Sequence, residues 1–173
     1  MTDQLKAIIN EIELKARIKE IAHQITNDYR GQQLKLIGIL KGAIFFMVDL
    51  AKSITDIPVS FDFMAVSSYG ASTQSSGEVR ILKDLDEPIE REHILLVEDI
   101  IDSGLTIRCI LRQLSARNPA SLKVCTLLDK PDRREIDVAI DYIGFTLPDR
   151  FVVGFGLDFN QKYRNLLYIA TLE

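Results

Sequence analysis

Apolar residues follow two different spacings along this chain, and each spacing predicts a different kind of element. Residues 5–29 carry an apolar side chain every three or four positions, which predicts an amphipathic helix, whole or broken near residues 11–14. Three nearly continuous apolar runs have the composition of strands buried in a parallel sheet: residues 34–40, 94–97 and 121–128. Residues 43–54 and 107–114 return to helical spacing. The shorter β-rich segments are residues 59–67, 78–83, 142–145, 151–155 and 166–169.

Strands and helices alternate through the middle of the chain, which predicts an α/β fold with a mainly parallel central sheet flanked by helices. The length of 173 residues, without an internal repeat or a change of composition, predicts a single domain over residues 1–173. Ligands of such sheets bind at the carboxyl ends of the strands. The polar residues that follow the apolar strands should therefore share one rim: Lys41, Gly42, Glu98, Asp99, Asp102, Asp129 and Lys130.

The strand over residues 94–97 leads into a tight turn that opens a helix, with Ser103, Gly104 and Thr106 as its small residues. The first N–H groups of a helix bind phosphate where small residues allow a close approach. The three acids before this turn have the chemistry to hold sugar hydroxyls, a metal ion or a proton. The alternative is a helix cap without a ligand, since capping uses the same residue types.

Composition removes some classes of function. The net charge of −4 at pH 7, without a basic tail, argues against nucleic-acid binding as the main activity. No apolar run reaches membrane-spanning length, and the first residues lack the basic start and apolar middle of a secretory signal. Cys109 and Cys125 have no metal-ligand spacing and are expected to be buried free thiols. A cytoplasmic protein is the expectation.

Residues 68–77 are small, polar and rich in serine and glycine, so they have little apolar surface to bury. Two interpretations have equal support from these residues alone. The segment is either an ordinary linker or a lid that closes over an active site.

Residues 97–106, Val-Glu-Asp-Ile-Ile-Asp-Ser-Gly-Leu-Thr, resemble the phosphoribosyl-pyrophosphate signature of the type I phosphoribosyltransferases. The resemblance extends over residues 34–169. Further matching segments are Leu40-Lys41-Gly42, Ser68-Tyr69, Asp129-Lys130 and residues 151–154 with Asp158 and Arg164. Residues 148–154 and Asp158 resemble the purine-salvage branch, which acts on hypoxanthine and guanine. The resemblance implies a small hood lobe from the N- and C-terminal segments, Mg²⁺ as cofactor, and a homodimer or homotetramer.

The implied reaction transfers a phosphoribosyl group from the pyrophosphate donor to a ring nitrogen of a purine base. The turn residues would hold the donor's 5′-phosphate: Asp102, Ser103, Gly104, Leu105 and Thr106. Glu98 and Asp99 would accept hydrogen bonds from the ribose hydroxyls and help to hold Mg²⁺, directly or through water. Asp102 would also be the general base, near the imidazole nitrogen of the purine. Some relatives carry lysine or asparagine at the position of Leu105, so this chain has no side-chain charge there.

By the same resemblance, pyrophosphate would be held by the main-chain amide of Lys41, after a cis Leu40–Lys41 peptide, with Gly42 beside it. Arg164 would add a fork of N–H donors. Ser68 and Tyr69 match the start of the family's catalytic loop, which favours the lid interpretation. From the residues alone, the side chains of Lys41 and Arg164 would be ordinary solvated groups.

The resemblance assigns the purine to residues further along the chain. Lys130 would donate to the exocyclic oxygen, which selects hypoxanthine and guanine over adenine. Phe151 would stack on the base, and the main chain of Val152 would contact its edge. Asp158 would be a direct Mg²⁺ ligand. From the residues alone, core packing is the stronger interpretation of Phe151.

Three alternatives stay open from the sequence. An enzyme that prefers xanthine would use the same Lys130 and Phe151. A regulator with this fold would bind the donor and a nucleic acid, although the acidic charge argues against it. A structural α/β module without a site would have no need for acids, lysine and glycine on one rim.

Overall fold

The computed structural model describes residues 4–68 and 79–172, and all structural statements concern these residues. The elements in chain order are β1 Leu5–Ile9, α1 Glu11–Asp28, β2 Leu34–Leu40, α2 Ile44–Ser53, β3 Val59–Ser68, β4 Val79–Lys83, β5 His93–Ile101, α3 Leu105–Ser115, β6 Ser121–Asp129, a 3-10 turn Pro131–Arg133, β7 Tyr142–Thr146, β8 Val152–Val153 and β9 Ile169–Leu172.

The larger sheet contains six of the described strands, in the order β4-β3-β2-β5-β6-β7. Strands β3, β2, β5, β6 and β7 pair in parallel, and β4 is an antiparallel strand at the edge. The middle strands β2 and β5 are buried over residues 34–39 and 94–98. Continuous apolar runs suit strands that are covered on both faces. The prediction of a mainly parallel sheet is confirmed.

Helices cover both faces of this sheet. α1 and α2 contribute buried residues such as Ile18 and Phe46 to one apolar cluster. α3 contributes Ile107 and Ile110 to a second cluster. Because apolar contacts close both faces, the carboxyl ends of the strands are the part of the sheet left for polar side chains.

The two ends of the chain meet in a smaller antiparallel sheet with the order β1-β9-β8. Leu5 of β1 pairs with Leu172 of β9, and Val152 of β8 pairs with Thr171 of β9. This sheet forms the hood lobe that the resemblance implied. The segment between β8 and β9, residues 154–168, is named the hood loop below.

The helix predicted over residues 5–29 is wrong at its start. Residues 5–9 form β1, and α1 begins at Glu11. Asn10 caps the helix: its Oδ1 accepts a hydrogen bond from Glu13 N at 2.9 Å, and Glu13 Oε2 accepts one from Asn10 N at 2.8 Å. This capping box fixes the first turn at Glu11, so the preceding apolar residues are free to pair with β9.

Two strands predicted near the C-terminus are also corrected. The strand over residues 151–155 is reduced to Val152–Val153, because Gly154 and Phe155 turn the chain with φ values of +100° and +49°. The closing strand is Ile169–Leu172 rather than residues 166–169. Leu166 lies in a turn instead, where its N–H donates to Tyr163 O at 3.1 Å.

The structure also bears on the expected free thiols and on the expected lack of a membrane-spanning segment. Cys125 is buried, Cys109 is partly buried, and both are free thiols. Among the helices in residues 4–68 and 79–172, none is long and apolar enough to cross a membrane.

Candidate active site

The carboxyl ends of β2 and β5 and the turn after β5 enclose a cleft of about 280 Å³, named the rim cleft here. Its lining includes Leu40, Glu98, Asp102, Ser103, Gly104 and Thr106. The parallel register explains why these residues meet, since Gly38 of β2 lies beside Val97 of β5 and both strands end soon afterwards. The structure therefore brings these sequence-predicted positions into one cavity.

The turn after β5 depends on Gly104. Its φ is +86°, and a Cβ atom there would lie 2.7 Å from the carbonyl oxygen of Ile136, so a larger residue does not fit. α3 begins at the next residue, Leu105, whose N–H donates to Ser103 Oγ at 3.3 Å. The first N–H groups of a helix have no acceptor within the helix, so this turn offers donors to an anion in the rim cleft.

Asp102 lies in the same turn. Its main-chain oxygen accepts a hydrogen bond from Arg134 Nε at 2.9 Å. Its Oδ1 atom is buried and has no hydrogen-bond partner in the described part of the chain. A buried carboxylate oxygen without a partner is costly, so the side chain is suited to accept a proton or a hydrogen bond from a ligand.

Glu98, which is buried, and Asp99, which is partly buried, form an acid pair near the end of β5. Glu98 is only 7% exposed. Burial, reinforced by the neighbouring Asp99 carboxylate, raises the pKa of Glu98 well above its usual range. Burial likewise raises the pKa of Asp99 to about 6, although the charge of Arg164 acts in the opposite direction. Two neighbouring carboxyl groups with little access to water are suited to bind a proton or a cation.

The donor set of this acid pair fits Mg²⁺, which prefers carboxylate oxygens and keeps several water or substrate ligands. Across residues 4–68 and 79–172, no cluster of three or more His, Cys, Asp or Glu residues is arranged for a metal ion. Asp158, the third expected ligand, instead pairs with Arg164 at 2.7 Å and accepts from Gln161 N at 2.8 Å. A magnesium ion here would take most of its ligands from substrate and water.

The hood loop lies directly against the end of β2. A Cβ atom on Gly42 would meet Asp99 Oδ2 at 1.8 Å, and one on Gly156 would meet Gly42 O at 2.0 Å. The Leu40–Lys41 peptide is cis, as the resemblance implied. The Lys41 side chain is exposed, with Nζ 3.4 Å from Gln161 Oε1. Because both positions are glycine, Asp99, the main chain of Gly42 and the hood loop pack in direct contact.

Arg164 is part of this contact rather than a freely solvated arginine. Its guanidinium donates to Gly156 O at 2.6 Å in addition to pairing with Asp158. Its Nε atom is buried and has no acceptor among the residues that the structure describes. The cation is thus held close enough to Asp99 to affect its pKa, with one buried donor left unpaired in the ligand-free protein.

Lys130 and Phe151 lie together at the end of β6. Lys130 is 4% exposed, and its Nζ donates to the main-chain oxygen of Arg150. Phe151 is 57% exposed and contacts Phe159 edge to face, with ring centroids 5.8 Å apart. The core-packing interpretation of Phe151 is therefore wrong. Val152, the next residue, is buried in β8.

Two expected site residues fall at the limit of the described chain. Ser68 is the last residue of β3 and pairs with Val79 of β4, but its side chain is not described. Tyr69 and the rest of the serine-rich segment lie outside the described residues. The lid interpretation stays a prediction.

The sequence reasoning missed three residues that hold the site in place, Arg134, Phe159 and Gln161, and it placed Asp129 on the rim without giving it a role. Arg134 forms an ion pair with Asp129 as well as its hydrogen bond to Asp102. Nothing in the local sequence distinguishes Arg134 from its neighbour Arg133, because the distinction arises from a contact with Asp102, 32 residues earlier in the chain. Phe159 and Gln161 are recognised only once the hood loop is folded.

Comparison with known proteins decides the family. The sequence profile of the phosphoribosyl transferase domain matches residues 4–160, most of the chain. The chain belongs to the phosphoribosyltransferases. The hypoxanthine-guanine phosphoribosyltransferase of Mycobacterium tuberculosis strain H37Rv is 52% identical to this phosphoribosyltransferase over 177 residues, covering 99% of this chain and 87% of that protein. The hypoxanthine phosphoribosyltransferase of Escherichia coli K12 is 48% identical, with coverage of 99% and 97%.

The fold agrees with this family. A crystal structure of a hypoxanthine-guanine phosphoribosyltransferase from Bacillus anthracis matches with a TM-score of 0.94 at 43% identity, covering 98% of this chain and all of that one. A phosphoribosyl donor presents phosphate groups and sugar hydroxyls together. The rim cleft of this phosphoribosyltransferase has a helix N-terminus for the former and carboxylates for the latter.

We expect Glu98→Gln to raise the melting temperature of the ligand-free phosphoribosyltransferase at pH 8. The folded-state pKa of Glu98 lies above the unfolded value, so stability is lost progressively as pH rises from the unfolded value through the folded one. Glutamine keeps the shape without the buried charge. Calorimetry in the presence of EDTA should show a rise of about 2–4 °C for each kcal/mol regained, and a smaller rise at pH 5.

Glu90→Gln is the matched control, since Glu90 is exposed. It should leave the melting temperature unchanged at both pH values. A Glu98→Gln variant no more stable than the parent at pH 8 would contradict the buried-charge account.

Proposed function

We propose that this phosphoribosyltransferase transfers the phosphoribosyl group of 5-phosphoribosyl-1-pyrophosphate to hypoxanthine, guanine or both. The products are IMP or GMP and pyrophosphate, which makes the protein a purine-salvage enzyme, and we place it in the cytoplasm as one functional unit over residues 1–173. The main supporting observation is the buried Lys130 beside the exposed Phe151, at the same end of the sheet as the phosphate-binding turn.

The donor occupies the rim cleft in this proposal. The N–H groups and hydroxyls of the turn hold its 5′-phosphate: Ser103, Gly104, Leu105 and Thr106, with Asp102 at the start. Glu98 and Asp99 accept hydrogen bonds from the ribose hydroxyls. Mg²⁺, held by this acid pair and by Asp158, would supply positive charge to the pyrophosphate. Because Asp158 pairs with Arg164 in the ligand-free protein, its use as a ligand requires that pair to loosen.

The leaving pyrophosphate is assigned to the junction of β2 and the hood loop. In this proposal the main-chain N–H groups of Lys41 and Gly42 donate to the pyrophosphate, and the guanidinium of Arg164 adds a charged donor. Ser68 and Tyr69 would begin the lid that excludes water. Excluding water strengthens each of these contacts and prevents hydrolysis of the donor.

The base lies between Phe151 and the rim cleft. Stacking on the exposed ring of Phe151 fixes its plane, and Val152 contacts its edge through the main chain. Lys130 Nζ exchanges its contact with Arg150 O for the exocyclic oxygen of an oxopurine. The C–O bond to pyrophosphate breaks as the C–N bond to the base forms, and the imidazole proton passes to Asp102, whose Oδ1 is buried without a partner in the described chain.

A pyrophosphate-release assay with donor, Mg²⁺ and each of hypoxanthine, guanine, xanthine and adenine tests this function. We expect turnover with hypoxanthine or guanine and little with adenine, because the adenine amino group does not accept from Lys130. A site built to donate to a substrate oxygen rejects an analogue lacking that acceptor by up to about 10⁴–10⁵-fold. Comparable rates with adenine, or no turnover with any base, would contradict the proposal; a preference for xanthine would correct its substrate.

The partner of this enzyme is proposed to be a second copy of itself. Large apolar side chains are exposed on one face: Ile44, Phe45 and Val48 of α2 and Phe61 of β3. Val48, Phe61 and Phe63 also line an apolar groove of about 340 Å³. A continuous apolar face of this kind is typical of a protein–protein interface. It suits a self-complementary contact of two α2 helices, in a homodimer or as one contact of a homotetramer.

Phe61→Glu should therefore lower the mass measured by light scattering to that of a smaller assembly. Phe61 is 58% exposed, so the free subunit should tolerate the charge, whereas two buried glutamates in a symmetric contact are costly. Leu167→Glu is the control, because Leu167 is similarly exposed but lies in the hood loop. An unchanged mass for Phe61→Glu, with circular dichroism like the parent, would contradict the assigned face.

A further inference from the structure

Arg134 is the residue that the proposed mechanism leaves without a use, and its contacts are specific. It lies just after the 3-10 turn Pro131–Arg133 and is partly buried. Its guanidinium forms an ion pair with Asp129, with side chains only 17% and 10% exposed. Its Nε atom donates to the main-chain oxygen of Asp102 at 2.9 Å. One planar cation therefore joins the end of β6 to the turn after β5.

The main chain around Arg134 extends this contact. The N–H groups of Glu135 and Ile136 both donate to Ser103 O, at 2.9 and 3.1 Å. The Arg134 Cδ atom lies 3.1 Å from the position that a Cβ on Gly104 would take. Residues 134–136 thus contact Asp102, Ser103 and Gly104 and are not among the residues that line the rim cleft. The Asp129 carboxylate holds Arg134 in place.

We propose that Arg134, anchored by Asp129, is a positioning residue that sets the turn carrying the phosphate donors and Asp102. The inference rests on the proposed function, because it assigns the turn to the donor phosphate. Arg134 acts through the main chain of Asp102 and is not placed in contact with substrate. The planar guanidinium is required because it makes both contacts at once. Its terminal nitrogen pairs with the Asp129 carboxylate while Nε donates to the Asp102 carbonyl oxygen, and lysine has no such geometry.

The purine end of the site has independent support. Lys130 N donates to Ile101 O at 3.0 Å, and Lys130 Nζ donates to Arg150 O. Neither contact includes Arg134. Loosening the arginine should therefore disturb the phosphate turn and leave the base contacts in place. This separation gives a kinetic signature that a general loss of stability does not have.

The test is steady-state kinetics on Arg134→Lys, with the Michaelis constants for donor and base measured separately. Lysine keeps the charge beside Asp129 but does not reach Asp102 O at the same time. We expect the donor KM to rise about tenfold with a lower kcat, since misplacing a reacting group by about 1 Å can cost 100-fold. The base KM and the melting temperature should stay close to those of the parent.

Arg133→Lys is the matched control, because Arg133 is the preceding residue, exposed, and paired only loosely with Asp149 at 3.6 Å. Its kinetics should equal the parent's. A purely structural arginine would lower the melting temperature and kcat through a smaller folded fraction, with both KM values unchanged, and that result would overturn the proposal. An Arg134→Lys variant identical to Arg133→Lys would overturn it too.

Asp129→Asn provides a second route if Arg134→Lys does not fold. It removes the anchor charge and keeps the arginine, so the donor KM should rise in the same direction by a smaller factor. An unchanged donor KM in a folded Asp129→Asn variant would overturn the proposal. Failure of the function itself is distinguishable, because then the parent protein would show no transfer to any base.

Discussion

The closure of both sheet faces by apolar helices is the constraint on which the rest of this structure depends. α1 and α2 cover one face and α3 covers the other, so polar side chains are confined to the ends of the strands. β5 lies between β2 and β6, so the end of β5 has a neighbouring strand on each side. Acids placed there are poorly hydrated without being enclosed, which is the environment in which carboxylates become chemically useful.

Glu98 and Asp99 show the cost of this arrangement. Their raised pKa values mean that ionising these carboxyls in the ligand-free protein costs stability, because the charge is poorly solvated there. A cation or a set of donor hydroxyls would relieve that cost, so the same burial that lowers stability also favours binding. The turn after β5, in contrast, is stabilised by contacts within the protein. Gly104 allows it to form, and contacts from residues 134–136 hold it in place before any ligand arrives.

Much of this could be predicted from the sequence because it depends on local pattern. The continuous apolar runs identified β2, β5 and β6, and the polar residues after them met on one rim. The error over residues 5–9 also had a local signal, since the Asn10 and Glu13 spacing is that of a capping box. Apolar spacing alone does not separate a short buried strand from the start of a helix.

The remaining features depend on contacts between distant segments. From the sequence alone core packing is the stronger interpretation of Phe151, but the residue is exposed in the structure. It lies just before β8, which begins at Val152, and its ring contacts Phe159 of the hood loop. Arg134 differs from Arg133 only through its contacts with Asp129 and Asp102. The ion pair of Arg164 with Asp158 likewise has no sequence signal, since both residues lie in an irregular loop.

The central claim is that two functions lie side by side after β5. The turn holds the 5′-phosphate of the donor, and the Asp102 carboxylate receives the imidazole proton of the base. The most direct measurement compares Asp102→Asn with the parent protein in turnover and in donor affinity by calorimetry. Asparagine keeps the shape and the main-chain contact to Arg134 but does not take a proton. The account predicts turnover lower by about 10²–10⁴-fold, with donor affinity close to that of the parent. Near-normal turnover in this variant would contradict it.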